Sequence, residues 1–370
     1  MIETKKFYDY LINKNIDFFA GVPDSLLANL CNCIKENTVP SKNIITANEG
    51  NAVAMCAGYH LSTGKYGMVY MQNSGEGNAV NPLLSLADND VYSIPMLIVI
   101  GWRGEPGKHD EPQHVKQGKV TLDLLNAMGI DYEILGDNYE TQINKAIEYM
   151  KNENKPYAVI VRKGLFSSFG TTIPSSNYSL TREVALEAII NNLTDEDIIV
   201  STTGKTSREI FEIREFNNQG HSNDFLTVGS MGHTASIAYG VSLGTDKNVY
   251  CIDGDGSFIM HMGSLGVIGA NLLPNFKYII NDNNAHESVG GQPTCSGSLD
   301  IPAILKACGF KKVLIADTIE EINASMKLLK DEEGVALVLH TKQGSRDDLG
   351  RPTTTPVENK VALMKKLGVM

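Results

Sequence analysis

The stretch Val249–Gln292, VYCIDGDGSFIMHMGSLGVIGANLLPNFKYIINDNNAHESVGGQ, restricts the possible folds more than any other part of the chain. It opens on a short apolar run, Val249–Ile252, bounded like a buried strand. Asp253-Gly254-Asp255-Gly256-Ser257 follows, and its two glycines allow a tight turn and a close approach to a ligand. A helical stretch then carries Phe258, Met260, Met262, Leu265 and Ile268, and a second apolar run, Tyr278–Ile280, ends in Asn281-Asp282-Asn283-Asn284. Strand, helix, strand reads as a parallel unit. Its two strand ends then lie on the same sheet edge, where ligands of open α/β sheets bind.

One carboxylate (Asp255), one amide oxygen (Asn283) and nearby backbone carbonyls make a hard, oxygen-only donor set. Such a set suits Mg²⁺ or Ca²⁺ and leaves positions for phosphate oxygens and water. Rival readings fail letter by letter. A dinucleotide fingerprint needs a third glycine where Ile259 stands. A calcium loop starting at Asp253 needs Glu at its twelfth position, which is Ser264. Thr203-Gly204-Lys205-Thr206 resembles the end of a P-loop, but the first glycine of that motif is replaced by Ile199. A glycine turn without a ligand would account for GDGS alone, and much less well for GDGS together with Asn283.

The rest of the chain alternates in the same manner. The first half offers strands at Ile16–Ala20, Ile44–Thr46, Met68–Met71, Met96–Ile100, Asp131–Leu135 and Tyr157–Val161. The apolar runs among them are continuous, as in strands covered on both faces. Asp24 or Ser25 is placed to cap the helix after the first strand. Glu49, between Asn48 and Gly50, opens an Ala- and Gly-rich helix where the helix dipole favours a carboxylate. Lys163–Ser179, rich in Ser, Thr and Gly, reads as an interdomain linker. Thr181 then caps a new helix, Ile198–Val200 and Val335–His340 are strands, and Gly229-Ser230-Met231-Gly232 is a turn. The expectation is an α/β protein of two doubly wound domains with mostly parallel sheets, residues 1–170 and 171–370.

GDG followed at this distance by an Asn-rich strand end resembles the signature of the thiamin diphosphate-dependent enzymes. The resemblance implies thiamin diphosphate and Mg²⁺ as cofactors, with Asp255 and Asn283 as metal ligands and Ala285 supplying a carbonyl. The family's usual Asn-Asn-Gly is here Asp282-Asn283-Asn284, so Asp282 remains a possible substitute for Asn283. Gly254, Gly256, Ser257 and the Thr203-Gly204 turn would then hold the diphosphate, Gly229 would offer its carbonyl to the cofactor's amino group, and Met231 would wedge the cofactor. NEGNAVAMCAGYHLSTG is similar to the family segment whose Glu hydrogen-bonds the aminopyrimidine ring, which makes Glu49 the catalytic acid–base group. By the same resemblance the first domain binds the pyrimidine and the second the diphosphate. The cofactor is shared between the first domain of one subunit and the second of another, which requires a homodimer or larger homo-oligomer.

Four segments carry the resemblance further: FAGVPDSLL (19–27), GWRGEPGKHDEPQHVKQG (101–118), TTGKTSREIFEIRE (202–215) and NAHESVGGQPT (284–294). They are similar to the branch of the family that decarboxylates small 2-oxo acids bearing a phosphonate head, with a sulfonate head as the alternative and a catalytically inactive relative as a remoter one. The 101–118 segment joins a strand end to a helix and carries Arg103, His114 and Lys116, the donors an anionic head group needs. Asp24, Ser25 and His286 complete the candidate substrate-binding set. A formal net charge of −11 with no basic stripe argues against nucleic acid as a partner, and no apolar run approaches the length of a membrane span. Six scattered cysteines, with Cys31-Asn32-Cys33 lacking a second pair, read as reduced thiols of a cytoplasmic protein.

Overall fold

The computed structural model describes residues 1–170 and 178–370. The chain forms two compact units, Met1–Ile173 and Pro174–Met370. The expected linker, Lys163–Ser179, lies partly outside the described residues.

In the first unit the strands are β1 (Phe19–Gly21), β2 (Asn43–Ile45), β3 (Met68–Gln72), β4 (Leu97–Gly101), β5 (Asp131–Ile134) and β6 (Tyr157–Val161). Their helices are α1 (Thr4–Asn13), α2 (Ala28–Asn37), α3 (Glu49–Thr63), α4 (Glu76–Pro82), α5 (Pro112–Ala127) and α6 (Tyr139–Glu153). The strands pair in the order β2-β1-β3-β4-β6-β5, all parallel. Alternation along each strand divides the core in two. Phe19, Met68, Tyr70, Leu97, Val99, Tyr157 and Val159 belong to one buried cluster. Ala20, Val69, Met71, Ile98, Ile100, Ala158 and Ile160 belong to the other.

The second unit has strands β7 (Ile198–Ser201), β8 (Asp224–Leu226), β9 (Val249–Gly254), β10 (Phe276–Asp282), a two-residue pair β11 (Ala285–His286) and β12 (Gln292–Pro293), β13 (Lys312–Ala316) and β14 (Val335–His340). Its helices are α7 (Arg182–Asn191), α8 (Lys205–Phe216), α9 (Thr234–Ser242), α10 (Asp255–Met260), α11 (Ser264–Ala270), α12 (Ile301–Cys308), α13 (Ile319–Asp331) and α14 (Pro356–Lys366). The main sheet runs β13-β14-β10-β9-β7-β8, again all parallel. Tyr250, Ile252, Ile279 and Leu337 face one layer of helices, and Val249, Cys251, Tyr278 and Ile280 the other.

Counted from the first strand of each unit, both sheets have the order 2-1-3-4-6-5. Chain direction across the sheet reverses between the first and third strands, so each unit opens its crevice beyond the carboxyl ends of that pair. In the first unit those ends are followed by Asp24 and Gln72–Asn73, and in the second by Thr203 and Asp255. Among the described residues no helix is long and apolar enough to cross a membrane.

Two local expectations are corrected. Asp24 does not cap α2: its Oδ2 accepts from the N–H of Leu26 at 3.0 Å, closing a turn, and α2 begins only at Ala28. The GDG segment is not a glycine turn either. β9 runs to Gly254, which has extended backbone (φ −117°, ψ 158°), and Asp255 is the first residue of α10. Gly256 is needed for space, because a Cβ there would lie 2.9 Å from two ring atoms of His286.

Candidate active site

In the first unit the Glu49 carboxyl is 4% exposed at the start of α3, behind the Asn48 side chain, which caps that helix through Asn51 N–H at 3.1 Å. Asn78 Nδ2 donates to Glu49 Oε2 at 2.8 Å. The other face of the carboxyl lies flat on Gly75, where an added Cβ would come within 2.2 Å of Oε1. Burial raises the Glu49 pKa above its ordinary value, opposed in part by the Asn78 hydrogen bond. A carboxyl so placed is suited to keep its proton above the ordinary carboxylate range and to exchange it with a ligand.

Asp24, Ser25, Arg103 and His114 come together at the crevice. Asp24 is fully buried, with Oδ2 against Gly101, where a Cβ would sit 2.1 Å away. Gln72 Nε2 donates to Asp24 Oδ1 at 2.6 Å, and Ser74 Oγ in turn donates to Gln72 Oε1 at 2.7 Å. Burial pushes the Asp24 carboxyl upward, against Gln72 and the nearby Arg103 charge. Arg103 forks onto Asp110 through Nε (2.8 Å) and Nη2 (2.5 Å), and its Nη1 donates to Ser25 Oγ at 2.9 Å. Asp110 also accepts from the N–H groups of Gly104 and Glu111, both at 2.8 Å, and together with Arg103 these hold its pKa far below the usual carboxylate range. Three of the five guanidinium N–H groups are therefore engaged, and one on each Nη is left for a ligand. His114 is 7% exposed on α5, and burial, then the Arg103 charge, lower its pKa. Lys116 is exposed on the same helix and does not join the group.

Behind this crevice sits a carboxyl that the motifs do not single out. Glu76 is 3% exposed, its Oε1 has no hydrogen-bond partner among the described residues, and burial raises its pKa to about 8, opposed by the Thr121 hydroxyl. Thr121 Oγ1 accepts from Asn73 Nδ2 at 2.8 Å, and Asn73 holds the backbone N–H and carbonyl of Arg103 at 3.0 and 2.8 Å. A raised carboxyl pKa means that the folded chain keeps a proton the unfolded chain has released. The stability Glu76 contributes is therefore complete below its ordinary value of 4.5 and is lost as pH rises to about 8. Relative to Glu76→Gln, the wild-type unfolding free energy should fall by about 1.4 kcal/mol per pH unit across that window. Denaturant titrations of both proteins at several pH values check this, and parallel profiles would show that Glu76 does not hold the proton.

In the second unit the site is stitched together by short contacts. Thr203 Oγ1 donates to Val228 O at 2.7 Å, tying the Thr203-Gly204 turn to the segment that carries Gly229 and Met231. Gly204, in left-handed conformation (φ +94°), lies under Ser288, whose Oγ is 2.5 Å from where a Cβ would stand. Gly232 N–H donates to Ser257 Oγ at 3.1 Å, and the Met231 methyl and the His286 ring both lie against Gly256. Burial lowers the His286 pKa to about 4.

Asp255 is 3% exposed. Its Oδ2 accepts from Thr294 Oγ1 at 2.5 Å and from Ser296 Oγ at 3.1 Å. Ser296 Oγ also contacts Asp282 Oδ1 at 2.7 Å and Asn284 Oδ1 at 3.0 Å. One hydroxyl proton thus faces oxygens from two carboxylates, and the cluster holds more acceptors than donors. Burial raises the Asp255 pKa to about 7, and the Asp282 charge adds to the rise. A divalent cation satisfies such a set. Mg²⁺ is commonly held by one or two carboxylates and completed by phosphate oxygens, a donor set that Asp255 and Asp282 fit. Asn283 is buried, and its Oδ1 accepts from Ala285 N–H at 3.1 Å, so Asp282 is the side chain linked to Asp255, through Ser296.

Sequence reasoning passed over Gly75, Asn78, Gln72, Thr294 and Ser296. Each works through a contact distant in the chain. The nearest signals were the small residues at Gly75 and the hydroxyl pair that follows NAHESVGGQP.

Comparison with known proteins shows the family of the chain. The model of the N-terminal TPP binding domain of thiamine pyrophosphate enzymes matches residues 4–129, and that of the C-terminal TPP binding domain matches residues 202–339. The chain is 34% identical over 359 residues to a phosphonopyruvate decarboxylase of Streptomyces viridochromogenes, covering 92% of this chain and 88% of that one. It is 32% identical over 379 residues to a phosphonopyruvate decarboxylase of Streptomyces hygroscopicus, covering 97% and 92%. It is 27% identical over 352 residues to a sulfopyruvate decarboxylase of Methanosarcina acetivorans, covering 88% and 87%. With both domains matched, and similarity to decarboxylases along nearly its whole length, the chain belongs to the thiamine pyrophosphate enzymes, among their 2-oxo acid decarboxylases.

Proposed function

We propose that the protein decarboxylates 3-phosphonopyruvate, an anionic 2-oxo acid, to phosphonoacetaldehyde and CO₂, using thiamin diphosphate and Mg²⁺. The observation that carries this reading is similarity to two phosphonopyruvate decarboxylases at 34% and 32% identity along nearly the full chain. A sulfonate head in place of the phosphonate is the second reading, favoured by the Methanosarcina relative at 27% identity.

The second unit would bind the diphosphate and metal. Asp255, Asn283 and the Ala285 carbonyl would hold Mg²⁺, with Asp282 able to replace or assist Asn283. The backbone of Thr203-Gly204 and of Gly254–Ser257 would receive the diphosphate, and Met231 and the Gly229 carbonyl would orient the organic part. The first unit would bind the pyrimidine. When bound, the cofactor supplies an electron sink for the pair left behind as CO₂ departs. Glu49 holds and returns a proton at the pyrimidine, Asn78 fixes its orientation, and the apolar surroundings keep water out. His286 would line the substrate side beside Gly256. A homodimer or larger assembly that shares the cofactor between copies completes the reading. The cysteines described, all free, fit a reducing cytoplasmic location.

Arg103, with Ser25, Asp24 and His114 around it, would meet the head group through its remaining N–H groups, and Lys116 would approach from the exposed face of α5. Losing one partner of a desolvated charge pair costs about 2–5 kcal/mol. Arg103→Ala should therefore lower kcat/KM by that amount on phosphonopyruvate and far less on pyruvate, which has no head group. Aldehyde release from phosphonopyruvate, sulfopyruvate and pyruvate, measured side by side in wild type and variant, tests function and residue together. Wild-type preference for sulfopyruvate would overturn the substrate, and equal losses on all three would confine Arg103 to holding Asp110 and its loop.

A further inference from the structure

The Asn283–Ser296 segment hangs from the end of β10, and its secondary structure is the β11–β12 pair and one 3₁₀ turn, Glu287–Val289. One end is tied down by Thr294 and Ser296 on Asp255 and Asp282. The other end is tied by a carboxylate of the NAHESVGGQPT segment to which the sequence reading gives no role. Glu287 stands two residues after Ala285, and its side chain is 8% exposed. Its Oε2 accepts from Arg182 Nη1, and its Oε1 accepts from the backbone N–H of Gly344, in the segment that follows β14. Arg182, the first residue of α7, is itself 4% exposed and forks through Nε and Nη2 onto Glu209 of α8 at 2.6 and 2.8 Å.

Glu209 already gives Arg182 a complete bidentate partner. A second buried carboxylate on the same guanidinium adds desolvation cost, which such groups recover only with full hydrogen bonding, and their best-attested use is to specify one geometry. The segment after β14 is separately fixed, since Arg346 binds Glu183 of α7 at 2.8 Å and also Glu212 of α8. Glu287 is therefore the point where the loop beside the cation cluster is anchored to a rigid pair of helices. On either side of Glu287 the loop sets the His286 ring against Gly256 and Ser288 over Gly204.

We propose that Glu287 is a positioning residue for the cation: clamped by Arg182 and Gly344 N–H, it holds the Asn283–Ala285 oxygens in the arrangement that receives Mg²⁺ with its diphosphate. This rests on the reading of Asp255 and Asn283 as the Mg²⁺ site. Outer partners of metal ligands typically contribute about 10–100-fold to metal affinity. Full-length wild type, Glu287→Gln, Glu287→Asp and Asp255→Ala, freed of metal and cofactor, are titrated with Mg²⁺ in the presence of thiamin diphosphate by calorimetry. Amide exchange of residues 284–296 and the unfolding midpoint are followed in parallel. Glu287→Gln should weaken Mg²⁺ binding by roughly 10–100-fold with faster exchange confined to the loop, and Glu287→Asp, which keeps the charge, should recover part of the loss. Binding by Glu287→Gln equal to wild type overturns the clamp alone. So does weaker binding that merely follows a lowered unfolding midpoint and is not recovered by Glu287→Asp. Wild type that takes up no more Mg²⁺ than Asp255→Ala overturns the cation reading and the clamp with it.

Discussion

Asp255→Ala should yield a folded protein that retains neither metal nor thiamin diphosphate and has lost its activity. Asp255 contributes one of the two carboxylates that meet at Ser296, and its replacement leaves two hydroxyls and Asp282 in place of an anionic oxygen cage. The hydroxyls of Thr294 and Ser296 then turn to other partners, so the fold loses little. The cation loses a direct ligand, and its affinity should drop by more than the roughly 10–100-fold typical of losing an outer partner. Calorimetric titration with Mg²⁺ and cofactor, set beside turnover, decides the matter. Normal cofactor retention with full turnover would remove Asp255 from the site.

Glu49→Gln should behave in the opposite way, with cofactor retained and turnover nearly abolished. Glutamine keeps the shape of the side chain and its hydrogen bond from Asn78, and it fits the same space over Gly75. What it lacks is an exchangeable acidic proton. Loss of one general acid–base group typically costs about 10²–10⁴-fold in rate. The loss should appear in kcat, with the cofactor dissociation constant close to that of wild type. A variant with wild-type kcat would show that the proton moves through another group. Burial raises the pKa of Glu49, so its protonated form persists above the ordinary carboxylate range, and the wild-type rate should fall on the alkaline side as that form is lost.

The architecture was readable because period-2 alternation and unbroken apolar runs leave few choices. Tyr157–Val161 and Val335–His340 are strands at the residues the pattern indicates. The strands that escaped notice are short or lie at sheet edges. β8 is three residues long and starts at the end of the polar stretch 217–224, and β13, at the sheet edge, is largely half-exposed, with Ile315 at 50%. The site followed the same division. Asp255, Glu49 and Asn283 sit at strand ends or helix starts, where local sequence displays them. Ser296 meets Asp255 from 41 residues away, and Thr121 reaches Asn73 across 48. Such contacts are set by tertiary packing, and no short window of sequence contains both partners. Arg103 shows a subtler limit. Its place at a strand end was visible, but its engagement with Asp110 depends on how the 104–110 loop folds back.

The common strand order of the two units has a consequence for how such a protein changes over time. Each unit supplies its own sheet, its own core and its own crevice at the same topological position, while the groups in the two crevices do different work. On the proposed reading the first would hold a proton-bearing carboxyl and an arginine for an anionic head, and the second an oxygen cluster for a cation; both sets of side chains are largely buried. On that reading, selection on head-group preference would fall chiefly on β1, β3, β4 and the 101–118 segment, together with His286 of the second unit. The cation cluster would be under the opposite regime, since on that reading every decarboxylation draws on it whatever the substrate. Two copies of one scaffold would then let one unit carry most of the drift in specificity while the other is held to a fixed inorganic task.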